Sequence, residues 1–342
     1  MNMNRIFLKT GIITVSIALF FYNNSVRALA APEQKKVDSV KFSVEEYRFK
    51  RKITIENQGE LVADAVIQVR FDNREFDYSK TKANGADIRF STAPGNLTSS
   101  GLSYWTEQWN EDGITRIWVK VPVLKSGTQN TIYMYYGNSN GPAVSNGDAT
   151  FIFFDDFEDG NYSKKWNNIS IGEVAEQGGQ LKLRETDGED GIITANFDVT
   201  GKMIVRTLYQ RGGGDEHWVR AGIGGWNKWL CFGDHTNVAA TGTNYVMLFD
   251  SASITSLKSV PLVKAANKVI TDKWRRAAYW YDGSSLKGMQ DDVSVQLPVS
   301  NASSKLALRT LDNDDWDNFA YITVSAYSGS EPIVTIGQQQ NN

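Results

Sequence analysis

The sequence predicts an all-β protein made of two antiparallel β-sandwich, jelly-roll-like domains in tandem, and three observations carry this prediction. Apolar and polar residues alternate with a period of two over runs such as 47–55 and 65–71. Turn dipeptides, among them Asn84-Gly85 and Asp112-Gly113, separate these runs. After residue 30, no stretch has the 3.6-residue apolar spacing of an amphipathic helix. Short strands between regular turns are typical of sandwiches.

The N-terminal segment has the features of a secretory signal. Arg5 and Lys9 precede an apolar run over 11–22, and Ala28-Leu29-Ala30 supplies the small residues that a signal peptidase reads. The run is shorter than the roughly 20 apolar residues that span a bilayer. We therefore predict a signal peptide at 1–30 and no membrane insertion of the chain after its removal. The expected location is secreted, periplasmic or cell-surface, and an uncleaved N-terminal anchor is the alternative.

The rest of the chain divides near residue 150. Residues 31–44 are polar and read as a leader. A stretch rich in Gly, Asn and Ser over 137–148 reads as a hinge. We therefore predict a first domain over 45–147 and a second over 151–337, which holds seven of the ten Trp.

Three blocks in the first half point to a known family. Asn84-Gly85-Ala86-Asp87-Ile88-Arg89-Phe90, Trp118-Val119-Lys120-Val121-Pro122 and the block 131–138, which begins Thr131-Ile132-Tyr133, occur in this order. With them, the first half resembles the bacterial domain of unknown function 2341. That resemblance implies an exported, multidomain bacterial protein in which such a domain often lies beside lectin-like sandwiches. It implies no catalytic residues, and none are carried over.

The second half is similar to concanavalin-like or laminin-G-like jelly rolls. The similarity rests on the acidic run 155–160 ahead of Trp166, and on Trp316-Asp317-Asn318-Phe319 ahead of a strand over 320–327. Sandwiches of this kind can carry a structural calcium ion. First and last strands of jelly rolls commonly pair, so Asp156, Glu158 and Asp317 become the predicted Ca²⁺ ligands. The alternative is that these acidic residues only serve the turns in which they lie.

Composition excludes several classes of partner and site. The formal net charge is −3, which argues against nucleic acid because that partner needs a basic face. One Cys and two His exclude a disulfide framework and a Cys/His zinc site. The chain has no Gly-x-Ser-x-Gly motif and no complete phosphate-binding loop. No catalytic residue is predicted, and whether the protein is an enzyme stays open, with a non-catalytic role favoured.

Aromatic residues supply the candidate binding site. Sugars stack their C–H faces on aromatic rings and present hydroxyls to polar side chains. Tryptophans concentrate in the second domain beside such polar residues, and the predicted ligand-binding set is Trp218, Trp226, Trp229, Trp280, Arg220 and Asn227. In the strand 274–281, Trp280 lies on the face opposite to Tyr279 and Tyr281, so one face is core.

The first domain adds three tryptophans. Trp105 and Trp109 are four residues apart in a strand-like stretch and are expected to share a face, while Trp118 is expected in the core.

These observations predict a secreted, non-catalytic glycan-binding protein that acts at a cell surface or in a polysaccharide matrix. Its expected partner is a poly- or oligosaccharide, and the negative net charge favours a neutral or cationic one. Two alternatives stay open. The first is a polysaccharide-active hydrolase or lyase that uses the second domain, and the second is a structural or adhesive surface protein.

Overall fold

The computed structural model describes residues 43–95, 101–169, 172–186, 191–199, 201–210, 216–224, 229–237, 243–250, 256–263, 274–282, 285–290, 293–298, 305–311 and 316–342. The predicted signal peptide and residues 31–42 of the leader lie outside these ranges. Within them, every paired strand is antiparallel and the helices are single short turns, which confirms the all-β prediction. These turns are α1 Gly147–Thr150 and the 3₁₀ segments Val44–Glu46, Tyr78–Lys80, Ala83–Gly85 and Tyr162–Lys164.

The described strands are numbered here in chain order. The first part of the chain forms β1 Phe49–Glu56, β2 Val62–Phe71, β3 Arg89–Ser91, β4 Tyr104–Gln108, β5 Thr115–Leu124 and β6 Gln129–Tyr136. The next part forms β7 Phe153–Asp155, β8 Trp166–Asn168, β9 Glu173–Glu176, β10 Leu181–Arg184, β11 Ile192–Asp198, β12 Met203–Gln210, β13 Glu216–Gly224 and β14 Trp229–Asn237. The last part forms β15 Thr243–Asp250, β16 Ser256–Val263, β17 Trp274–Tyr281, β18 Ser285–Gln290, β19 Val293–Pro298, β20 Lys305–Leu311, β21 Asp317–Ala326 and β22 Ile333–Asn341.

The first sandwich packs a sheet of order β22-β1-β6-β3 against a sheet of order β2-β5-β4. The alternation at 47–55 and 65–71 buries Ile53 and Ile55 of β1 against Ile67 and Val69 of β2.

A tight turn precedes β3, where Asn84 and Gly85 have φ angles of 57° and 62°. At Gly85 a Cβ atom would lie 2.4 Å from the Trp109 ring, so only glycine fits there.

The strand that ends the chain belongs to this first sandwich. β22 runs antiparallel to β1, from the pair Glu56 and Ile333 to the pair Phe49 and Asn341. It covers the edge of β1 that β6 leaves open. The predicted domain division at 45–147 and 151–337 stays a prediction, but residues 333–336 pair with the first strand of the chain.

The second sandwich has larger sheets. One has the order β19-β18-β17-β12-β21-β10-β9, with β7 paired to β21, and the other has the order β16-β15-β14-β13-β20-β11-β8. Both sheets contribute to one buried core, which includes Val205 and Tyr279 from the first and Ile193 and Leu308 from the second. Trp166 is fully buried in this core.

A third buried group, here called the interface cluster, joins the two sandwiches. Its members are Val66, Trp105, Trp118, Phe151, Phe154 and Tyr321. The ring of Trp105 meets Phe154 and Tyr321 edge to face, with centroids 4.9 and 5.2 Å apart. Such contacts add to the free energy gained by burying the rings. None of the helices in the described ranges is long and apolar enough to cross a bilayer.

Candidate functional site

Beside the interface cluster lies a cavity of about 400 Å³, here called the inter-sandwich cleft. Its size suits a small ligand or a short stretch of a polymer. Strands β2, β4 and β5 form one wall, strands β12, β17 and β21 form the other, and the approach to β22 closes one side. The lining residues are Gln68, Arg70, Glu107, Trp118, Arg206, Arg276, Ala277, Ala278, Trp280, Tyr321, Glu331, Pro332 and Val334.

Strand alternation aims side chains from both sandwiches into the cleft. In β5, Ile117 and Val119 belong to the core of the first sandwich, so the intervening Trp118 points outward. In β17, Tyr279 belongs to the core of the second sandwich, and its neighbour Trp280 faces the cleft. Two ordinary amphipathic strands, packed outer face to outer face, therefore make the aromatic walls.

Glu107 organises one end of the cleft. Its side chain is 2 % exposed and accepts hydrogen bonds from Trp118 Nε1 at 2.8 Å and from Arg276 Nε at 2.7 Å. The neighbouring Gln108 Oε1 accepts from Arg276 at 3.1 Å and from Arg116 at 2.8 Å. A buried carboxylate is stable only when paired and hydrogen-bonded in this way. The contacts join β4 and β5 to β17 across the cleft.

Glu331 organises the other end. Its Oε1 atom accepts from Trp280 Nε1 at 2.9 Å and from Arg206 at 3.0 Å. Arg206 is buried, donates a second hydrogen bond to Ser325 Oγ at 2.9 Å, and lies over the Trp118 ring with its guanidinium carbon 4.5 Å from the centroid. Cation–π contact of this kind is stabilising. Each end of the cleft thus holds one Arg–Glu pair and one indole N–H.

Tyr321 lines the cleft close to Glu107. Burial raises the pKa of its phenol well above the ordinary value, and the negative charge of Glu107 raises it further. Arg276 and Arg206 oppose this shift only in part. The phenol therefore stays protonated at physiological pH and serves as a hydroxyl donor in the cleft rather than as a base.

Of the predicted ligand-binding residues, Trp280 lines the inter-sandwich cleft, and Trp218, Arg220 and Trp229 lie in a different sheet. Trp280 lines the cleft, but it is only 5 % exposed, so the predicted exposed stacking surface is not present at this residue. Trp218 and Arg220 lie in β13 and Trp229 in β14, which belong to the other sheet of the second sandwich. Their side chains, and all of Trp226 and Asn227, lie outside the described residues. Trp280 is therefore not in the same sheet as these strands.

One expectation for the first domain is wrong, the shared face of Trp105 and Trp109, whereas the expected burial of Trp118 is confirmed. The register of β4 against β5 shifts between Thr106 and Gln108, so a β-bulge interrupts the alternation. As a result Trp105 faces the second sandwich, while Trp109 packs inside the first against Phe71 and Tyr78. Trp118 is buried, but in the interface cluster rather than in the core of its own sandwich.

The predicted calcium ligands do not form a site. Asp317 is fully buried at the start of β21, Asp156 is half-buried and Glu158 is exposed. Among the described residues, no group of three or more His, Cys, Asp or Glu side chains is placed to hold a metal ion. The three carboxylates thus do not fit a calcium ion. The neighbouring Asp155 has a structural role, because it accepts from Trp166 Nε1 at 2.7 Å and from the backbone N–H of Phe157 at 3.2 Å.

Sequence reasoning missed most of the cleft. No local pattern connects the parts of the chain that contribute Glu107, Arg206, Glu331 and Tyr321, because these residues are far apart in the sequence. One signal was available in the pattern. Arg116 and Trp118, like Arg276 and Trp280, put charge and indole on the face that alternation assigns to solvent.

One family model matches the chain. It is the domain of unknown function DUF2341, matched over residues 84–169. The match confirms the resemblance of the first half, and it extends past the predicted hinge into β7 and β8. No curated protein sequence matches the chain.

Solved structures show distant similarity. A carbohydrate-binding module CBM66 from Bacillus subtilis is 12 % identical, with 47 % of this chain and 96 % of the module covered and a TM-score of 0.37. The metal-free carbohydrate recognition domain of Emp46p is 9 % identical, with 47 % and 88 % covered and the same TM-score. A xylan β-1,4-xylosidase from Bacillus halodurans C-125 is 12 % identical, with 58 % and 47 % covered and a TM-score of 0.37. Likenesses at this TM-score carry no argument about function.

Proposed function

We propose that this protein is an exported, non-catalytic saccharide-binding protein of a cell surface or polysaccharide matrix, and that the inter-sandwich cleft holds the saccharide. One observation carries the proposal. Trp118, Trp280 and Tyr321 border a cavity of about 400 Å³ into which arginine, glutamate and glutamine side chains also point. Sugar rings combine apolar C–H faces with many hydroxyls, and this combination of walls suits them. The signal-like N-terminus supports export.

Calcium is not part of this proposal, because the described carboxylates do not come together. The binding mode also differs from open stacking on an exposed Trp. Trp118 and Trp280 are held by Glu107 and Glu331, so both ends of the cleft are ordered before a ligand arrives. Preorganisation of this kind lowers the entropic cost of binding.

A blocking variant tests the proposal without removing a buried contact. Ala278 lines the cleft on the outer face of β17, so Ala278→Trp should fill the cavity and abolish retention on a glycan array or in affinity electrophoresis. Ala63→Trp, at an exposed position of β2 away from the cleft, is the matched control. The proposal fails if no glycan of a broad neutral and charged panel binds the wild type. It also fails if Ala278→Trp binds as well as Ala63→Trp does while both proteins melt normally.

A polysaccharide-active enzyme is the second candidate, because two carboxylates, Glu107 and Glu331, line the same cleft. Glycoside hydrolysis needs one carboxylic acid that gives up a proton and one carboxylate that acts as nucleophile or base. Here each carboxylate accepts hydrogen bonds from one arginine and one indole N–H. These contacts favour a role in holding the cleft side chains in place over a role in proton transfer. Release of reducing ends or unsaturated uronides from a polysaccharide panel, lost in Glu107→Gln, would establish the enzyme instead.

A further inference from the structure

The inter-sandwich cleft carries more positive than negative charge. Arg70, Arg206 and Arg276 line it, against the two carboxylates of Glu107 and Glu331. Arg116 adjoins these residues through Gln108. Three guanidinium groups therefore line a cavity with two carboxylates, and a fourth lies next to the lining residues.

The ion pairs of the cleft leave Arg70 without a carboxylate partner among the described residues, and Arg116 makes no direct ion pair there. Arg206 pairs with Glu331 at 3.0 Å, and Arg276 pairs with Glu107 at 2.7 Å. Arg116 donates to Gln108, a neutral amide. Arg70 is exposed, and no described carboxylate forms an ion pair with it. The unneutralised charge is thus concentrated on the wall that the first sandwich contributes.

The strand register makes this concentration costly for the fold. Arg70 of β2 and Arg116 of β5 are direct cross-strand partners. Like charges directly opposite each other destabilise a sheet. Burial lowers the pKa of Arg116, and the positive charges of Arg276 and Arg70 lower it further, while the negative charge of Glu107 opposes the shift only in part. A bound anion would relieve the repulsion.

From this geometry we infer that the cleft binds a saccharide that carries a carboxylate, which means a glycan containing uronic acid. The inference rests on the proposed function and specifies its ligand class. Guanidinium groups bind planar carboxylates through paired N–H donors, so Arg70 is placed to receive the acid while the aromatic walls receive the ring. The negative net charge of the chain predicts the opposite preference, but short-range charges in the cleft decide binding because distant surface charges are screened.

Matched polysaccharides separate this inference from the proposed function. Polygalacturonate, alginate and hyaluronan are each compared with their carboxyl-reduced forms, in which every uronate has become the neutral sugar. At least one acidic polymer should bind about tenfold more tightly than its reduced form, and its affinity should fall as salt is added. Equal affinity for both forms, or binding of neutral glycans only, would overturn the inference while the proposed function stands. If no saccharide of any kind binds, the proposed function itself fails.

Charge-matched variants locate the effect. Arg70→Gln should reduce affinity for the acidic polymer to that of its reduced form. It should not lower the melting temperature, since the side chain is exposed and its removal relieves the repulsion with Arg116. Arg48→Gln removes an exposed arginine of the same sandwich outside the cleft and should change neither property. Equal losses in the two variants would mean general charge attraction and overturn the inference. Binding of dextran sulfate as tight as that of the preferred uronate polymer would overturn it as well.

Discussion

Asp155 is a buried carboxylate with a structural role in the second sandwich. It lies in the acidic run 155–160, in which the sequence predicts a calcium site. Both of its carboxylate oxygens accept hydrogen bonds from the protein, one from Trp166 Nε1 and the other from the backbone N–H of Phe157. Burial raises the pKa of this carboxyl, while the hydrogen bonds from Trp166 and Phe157 oppose the rise. The carboxyl therefore orders the entry into the second sandwich.

The raised pKa of Asp155 gives a pH dependence of defined sign. The native protein binds a proton at this site more readily than the unfolded chain, whose Asp pKa is about 3.9. Its stabilising contribution is present below that value and is lost as pH rises through the raised pKa. We expect the free energy of unfolding of wild type, relative to Asp155→Asn, to fall between about pH 4 and neutrality. Urea unfolding over this range measures it.

Asp77 provides a control of opposite sign. Hydrogen bonds from Ser79 and Lys80 hold the pKa of this exposed carboxyl below its usual value. Its contribution is present above the unfolded pKa and lost as pH falls, so wild type relative to Asp77→Asn should gain stability as pH rises. If both variants gave the same slope, the environment assigned to Asp155 would be incorrect.

At the scale of elements, β22 is the strand that local sequence explains least. It is the last strand of the chain, yet it pairs with the first, and Val334 and Ile336 pack on the core of the first sandwich. Residues that alternate with them, including Ile333 and Thr335, are exposed. The alternation shows that this is a half-buried strand, but it does not reveal its partner.

Substitutions at two isoleucines of β22 test whether this strand packs on the core of the first sandwich. Ile336→Ala should lower the free energy of unfolding by about 1–2 kcal/mol, because a half-buried side chain loses part of its apolar contact area. Ile333→Ala, at a site that is 53 % exposed, should change it by less than about 0.5 kcal/mol. Chemical denaturation of the two variants measures the difference. Equal losses would mean that β22 does not pack as described.

For the whole molecule, the interface cluster determines whether the sandwiches unfold together. Trp105 contacts Phe151, Phe154 and Tyr321 through its ring, so it bridges chain segments on both sides of the interface. The ion pair between Glu107 and Arg276 adds a polar link beside it. The same surfaces that couple the sandwiches also form the walls of the cleft.

Trp105→Ala should uncouple the two sandwiches. Loss of a buried Trp costs about 3–5 kcal/mol, and here the lost contacts lie between sandwiches. We expect calorimetry to show one cooperative transition for wild type and two for the variant. Trp109→Ala, which removes a ring packed within the first sandwich, should lower stability without making the two transitions separate. A single transition in Trp105→Ala would indicate that other contacts couple the sandwiches.

Local pattern predicts what depends on neighbours in sequence. Period-two alternation gave the all-β class and placed Trp280 on the face opposite to Tyr279, since successive side chains of a strand point to opposite faces. It failed at Trp109, because the bulge between Thr106 and Gln108 adds a residue on one strand only. A bulge depends on the partner strand, which the pattern of a single strand does not contain.

The sequence by itself determined the all-β class and the family resemblance of the first half. Only the tertiary structure decided which outward faces meet. Trp118 and Arg206 touch because β5 and β12 belong to different sandwiches that pack outer face to outer face, although the residues lie far apart in the chain. Likewise, Glu107 reaches Arg276 across 169 positions. Alternation identifies an outward face, but the side chains opposite that face are set by long-range packing, and so is the charge of the cleft between them.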